Sequence, residues 1–96
     1  MAHNYPGKFI TLEGIEGVGK TTQLAYLKKW TAEKNIDAIF TREPGGEPVA
    51  ERIRAIFLEK LPEKITPDTE LLLLFAGRSQ HLSTTIIPAL EAGKWV

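Results

Sequence analysis

Gly14, Gly19, Lys20 and Thr21 fall at the spacing G-x-x-x-x-G-K-[ST], with Ile15, Glu16, Gly17 and Val18 between them. Glycines let a backbone turn tightly and aim successive N–H groups at one point, and a helix beginning at Lys20 adds free N–H groups and the positive end of its dipole. Such a cradle suits a polyphosphate. Lys20 reaches the outer phosphates as a point charge, and the Thr21 hydroxyl is placed to join a magnesium shell otherwise made of water and phosphate oxygens. A lysine in the first turn of a helix is electrostatically misplaced unless an anion lies there, which argues against a mere strand-to-helix connection. Thr22 has no role in this scheme.

Three further groups of residues bear on the chemistry. Glu16 sits inside the loop, where an acid close to phosphate is unfavourable unless it faces magnesium or a hydroxyl of a second substrate; the alternative is a solvated carboxylate at the loop tip. The stretch TREPGGEP places Arg42, Glu43 and Pro44 where a second strand leaves its sheet, the edge at which open α/β sheets bind ligands. Arg42 has the planar fork to hold a phosphate with two N–H groups, and Arg54, one helix on, is placed to support it. The stretch FAGRSQH brings Phe75 and Arg78 together at helical spacing, as an aromatic face and a cation for a base-and-phosphate pocket; for Phe75 alone, core packing is the alternative. His81 is expected at the surface or behind the site, not as a catalyst.

The elements that must position these groups are legible in the same way. Phe9 to Leu12 reads as a short buried strand running into the glycine loop, and Leu24, Leu27 and Trp30 mark the apolar stripe of a helix from Lys20 to Lys34. Asn35 is suited to stop it. Residues 36–41, IDAIFT, read as a second strand, and Pro48 opens a helix with Val49, Ile53, Ile56 and Phe57 on one face. Thr66, Pro67 and Asp68 make a good helix start. The turn Leu71 to Ala76 is apolar all round, so enclosure by other elements is expected, either by a further layer of core or by a second copy of the chain. Pro88 should kink or divide that helical segment, Gly93 should stop it, and a third strand should begin near Val96. Alternating strands and helices imply an α/β fold, a parallel sheet flanked by helices that two strands and the start of a third leave incomplete.

At 96 residues the chain is expected to form one domain, 1–96. Twelve Lys plus Arg balance twelve Asp plus Glu, so no broad field favours nucleic-acid polymers or an anionic membrane, and any phosphate binding is local. The absence of cysteine removes disulfides and thiolate metal sites. The opening residues lack a secretory signal pattern and no run is long enough to span a bilayer, so a cytoplasmic location is expected.

Taken together, the stretches FITLEGIEGVGKTTQ, FTREPGGEPVAERIR and LLLLFAGRSQHLSTTIIPALEAGKWV resemble the bacterial-type thymidylate kinases, in order and in spacing. The resemblance implies a P-loop NTPase-type domain of the nucleoside monophosphate kinase kind, transfer of the γ-phosphoryl of ATP to dTMP, magnesium as cofactor, and a homodimer. It implies that Gly14 to Thr21 bind ATP, with Lys20 and Arg42 as the catalytic cations and Thr21 on the metal. Glu16 would face the 3′-hydroxyl of the acceptor and Arg42 its phosphate; Glu43, Pro44 and Arg54 would line its site, with Phe75 against thymine and Arg78 on the base or phosphate side. It further implies an Asp-Arg motif and a basic lid beyond Val96, so that this chain, as an N-terminal part, is expected to be inactive alone. Two rival readings are a slow P-loop GTPase or ATPase and a nucleotide-binding remnant without activity.

Overall fold

The computed structural model describes residues 4–14, 19–43 and 45–96, which divide into two compact units, Met1–Phe40 with Ala89–Val96, and Thr41–Pro88. In the first unit, helix α1 runs Lys20–Glu33 and ends as its sequence asks. Asn35 takes the left-handed conformation, φ 57°, and the amides of Asn35 and Ile36 donate to the carbonyls of Ala32 and Thr31, at 3.2 and 2.9 Å, so the last carbonyls of the helix are satisfied as its backbone turns away. Trp30 on this helix lies 6.1 Å from Trp95, centroid to centroid, tilted by 44°.

The three expected strands are not formed as strands among the described residues. What exists is one isolated parallel bridge, Ala38 to Trp95, in which the Trp95 amide donates to Asp37 and the Ile39 amide to Trp95. On the other side of this segment the Val96 amide donates to Lys8 and the Ile10 amide to Val96, both at 2.8 Å. Among the described residues, the segment at 95–96 thus lies between the other two and bonds to both. The expectation that Phe9 to Leu12 is buried is corrected accordingly: Phe9 is 53% exposed and Ile10 is also exposed, because a parallel strand is buried only where neighbours and helices cover it on both faces.

In the second unit, helix α2, Pro48–Leu58, packs against helix α3, Pro67–His81. Pro48 and Pro67 both stand in the first turn, where a missing N–H costs nothing. The Thr66 hydroxyl accepts the Thr69 amide at 3.3 Å. The buried point of α2 is Ala50, with Ile53, Ile56 and Phe57 half-buried and Val49 exposed, so the inward face is rotated from the one expected. After α3 the chain widens into a π-helical turn, Leu82–Ile86, before α4, Ile87–Glu91. Pro88 explains the change: it has no amide to give Thr84 and its ring would clash with that carbonyl in an α-helix, so the Ile87 amide reaches back to Leu82 instead. Gly93, φ 85°, closes α4 as the sequence requires.

The enclosure expected for one stretch is not made by the described residues of this chain. The all-round apolar turn is not enclosed: Leu72 is 70% exposed, and Leu71, Leu74 and Phe75 are exposed with it, while Leu73 is half-buried. Among the described residues α2 is the helix that packs across α3, and one such helix cannot cover a turn that is apolar around its whole circumference.

Candidate functional site

The first group of site residues lies at the start of α1. Gly19 is the residue before the helix and adopts φ 88°, ψ 14°, a left-handed backbone that an L side chain would strain. It offers no side-chain cap, and the first turn, Lys20, Thr21 and Thr22, carries no acid. Lys20 is half-buried and Thr21 exposed. A helix start without a capping side chain or an acid, bearing a lysine, is a geometry that an anion completes. Gly14 is exposed; Ile15, Glu16, Gly17 and Val18 lie outside the described residues, as does Pro44. Among the described residues no three acidic or histidine side chains gather to hold a metal by themselves. The exposed Thr21 hydroxyl fits magnesium, which keeps much of its water and takes one or two protein ligands plus phosphate oxygens.

The second group is built on the 41–47 loop and on α3. Arg42 donates through Nη2 to both oxygens of Glu51, at 3.1 and 3.4 Å, and the Gly46 amide donates to Glu51 Oε1 at 2.9 Å. One carboxylate in the first turn of α2 therefore holds both the arginine and the glycine turn. Arg78 donates from Nε to Glu43 Oε1 at 2.7 Å, and its Cζ stands 5.9 Å from the Phe75 ring centroid. Glu43, Leu71, Leu74, Phe75 and Arg78 line one open pocket of about 240 Å³. Phe75 is 55% exposed, so its ring face is accessible and core packing is not what it does here. Arg54 is half-buried on α2. Of the residues expected to bind an acceptor, Glu43, Phe75 and Arg78 thus share a pocket, and Arg42 is held at the neck of the loop by Glu51.

Both ion pairs are partly exposed, and pairs of that kind are worth about 0–1 kcal/mol each. They orient the guanidinium groups without committing them. A phosphate dianion carries more charge and more acceptor oxygens than one carboxylate, and it competes well for such an arginine.

Behind this surface lies a polar cluster that the sequence did not reveal. His81 is 1% exposed, which excludes the surface position and leaves the position behind the site. Its Nδ1 pairs with Glu47 Oε2 at 2.5 Å and its Nε2 with the Thr41 hydroxyl at 3.1 Å; the Thr85 hydroxyl also donates to Glu47 Oε2. Burial pushes the Glu47 carboxyl up, but hydrogen bonds from Thr85 and His81, the histidine's charge and Glu47's own backbone amide together hold it below the ordinary carboxylate range. Ionised Glu47 needs a donor, so Nδ1 carries the proton. Gly46, φ 103°, is required where it stands: a Cβ would lie 2.8 Å from His81 Cε1 and 3.0 Å from the Thr41 hydroxyl oxygen. The available signal for Glu47 was its place between a double glycine and a helix-opening proline, a backbone too tight to leave its side chain far from a neighbouring element.

Because the folded Glu47 pKa is depressed, the stability it contributes is present above the unfolded carboxylate value of about 4.3 and is lost as pH falls through its folded value. Urea midpoints of the full-length protein and of Glu47→Gln, followed from pH 7 to pH 3, should converge as pH falls below about 4.3. A constant gap would show that the carboxylate's charge is not what the cluster uses.

The sequence profile of the family "Thymidylate kinase" matches residues 12–96. Curated relatives named "Thymidylate kinase" include those of Alkalilimnicola ehrlichii, 53% identical over 90 residues, Vesicomyosocius okutanii, 51% over 90, and Chromohalobacter salexigens, 52% over 92. The matches take in 94%, 94% and 95% of this chain but 42%, 44% and 43% of those proteins, so the chain spans less than half their length. No helix among the described residues is long and apolar enough to cross a membrane. A match of the family profile over nearly the whole chain means that this chain belongs to the thymidylate kinase family.

Proposed function

We propose that this chain is the N-terminal part of a single-domain P-loop kinase, built on a parallel sheet, that transfers the γ-phosphoryl of ATP to dTMP, giving dTDP and ADP. The observation that carries the reading is the pocket in which an accessible Phe75 ring and the Arg78 guanidinium meet beside Glu43, in a member of this family. An aromatic face and an arginine at that distance suit a planar base with a phosphate nearby. Family membership supports ATP as donor. Lys20 and the loop backbone from Gly14 to Thr21 hold its phosphates, and Arg42, released from Glu51, holds the acceptor phosphate with Arg54 in support. Magnesium, when bound at Thr21, supplies positive charge that neutralises the transferring group. An oxygen of the dTMP phosphate attacks the γ-phosphorus as the bond from that phosphorus to the β,γ-bridging oxygen breaks, and ADP leaves with the electron pair. The attacking oxygen is already ionised at neutral pH, so alignment and charge neutralisation are required and a general base is not.

The same reading gives the exposed Leu71, Leu72 and Leu74 face to a homodimer and puts the protein in the cytoplasm with its nucleotides. A coupled assay of ATP consumption by the full-length protein, with dTMP, dUMP, dCMP, AMP and GMP as acceptors, tests it. Stimulation by dTMP well above the others is expected. Hydrolysis indifferent to every acceptor would remove the kinase reading and leave a nucleotide-binding loop.

A further inference from the structure

The buried histidine does more than fill space between the 41–47 loop and α3. Thr41 and Glu47 are the first and last residues of the loop that carries Arg42 and Glu43, and both reach the same imidazole, one at each ring nitrogen. Gly46 packs against the edge of that ring, too close for any Cβ, so the loop is drawn onto His81 along its base. His81 is the last residue of α3, the helix that also bears Phe75 and Arg78. The ring therefore joins the two elements that line the pocket, at a point with almost no exposure to water. We infer that His81 is a positioning residue, a clasp that closes the 41–47 loop by bonding Thr41 to Glu47 and so sets where Arg42 and Glu43 stand for an acceptor nucleotide.

With Nδ1–H toward Glu47, the ring bonds the Thr41 hydroxyl through Nε2. The Thr41 arm is the one to cut, because it leaves the buried carboxylate paired. Thr41→Val keeps the shape of the side chain and removes only the hydroxyl, whereas Thr41→Ser restores it. The effect on catalysis rests on the kinase reading above, but the closure of the loop does not, and two readouts on the full-length protein separate them. In the first, hydrogen exchange at the Gly46 amide, bonded to Glu51, should quicken by about tenfold in Thr41→Val and return to the parent rate in Thr41→Ser. In the second, Thr41→Val should raise the KM for dTMP by about tenfold with the KM for ATP unchanged, and Thr41→Ser should reverse this.

Unchanged exchange at Gly46 overturns the clasp, whatever the activity. Faster exchange with an unchanged dTMP KM, or with both KM values moved alike, overturns its role in positioning the acceptor site. Faster exchange in a protein that no acceptor stimulates supports the clasp and overturns the kinase reading.

Discussion

Replacing Lys20 with alanine in the full-length protein is expected to lower kcat/KM by about 10²–10³-fold, the range for removing one preorganised electrostatic contact from a transition state. The reasoning begins with the place of the residue. Lys20 opens α1 behind a glycine that gives no side-chain cap and within a first turn free of acids. Its charge therefore opposes the helix dipole in the free protein, a cost of roughly 0.3–1 kcal/mol that is reversed when an anion binds. The alanine variant should accordingly be no less stable than the parent while losing activity. The loss should fall chiefly on kcat if the ammonium tracks charge that develops on the transferring phosphoryl group, and on the KM for ATP if it only holds the ground state. Affinity for dTMP should hold, since Arg42, Phe75 and Arg78 are untouched. A variant with parental kcat/KM would show that Lys20 is an ordinary solvated lysine, and that the loop cradles nothing that needs it.

The largest effect on stability is expected at His81. Substitution by leucine, similar in volume, leaves the Glu47 carboxylate buried with Thr85 as its one remaining side-chain donor among the described residues. Breaking a buried pair in this way costs about 3–5 kcal/mol, mostly because a charge is left without its partner. Glu47 also has a buried second oxygen, Oε1, that takes no hydrogen bond among the described residues, so there is little spare solvation to absorb the loss. Urea denaturation at pH 7 is the measurement. The double variant His81→Leu with Glu47→Gln should regain a large part of the loss, because removing the charge removes the reason for the penalty. A single-variant cost below about 1 kcal/mol would mean that the pair contributes no more than an exposed one.

How the two ends of the candidate site became known differs for a physical reason. The glycine motif is a local pattern: a glycine turn and a helix start depend on residues a few positions apart, so the spacing from Gly14 to Thr21 suffices to propose a phosphate loop, and the helix start at Lys20 behind a left-handed Gly19 agrees with it. The helix boundaries were local in the same sense. Pro48 and Pro67 open helices because a proline lacks the amide that a first turn does not use, and Thr66, Asn35 and Gly93 cap because of their own side chains or φ angles.

What those local rules could not contain was who pairs with whom across the chain. Arg42 reaching Glu51, Arg78 reaching Glu43, and His81 joining Thr41 to Glu47 are contacts between residues 9 to 40 positions apart, and each exists only because α2 and α3 are packed together with the loop laid over them. Hydrophobic pattern misled in two places for the same reason. The stretches at Phe9 to Leu12 and Leu71 to Ala76 are apolar enough to be buried, but burial belongs to the neighbours and not to the segment: among the described residues the first is bonded at Ile10 to Val96 and the second is packed by α2. From its sequence alone this protein has a glycine-loop motif, four helix starts and stops, and a family. Only tertiary packing decided that Arg42 and Arg78 are held by carboxylates and that a buried histidine closes the loop carrying Arg42, since hydrogen bonds of that kind are made between elements once the chain has folded.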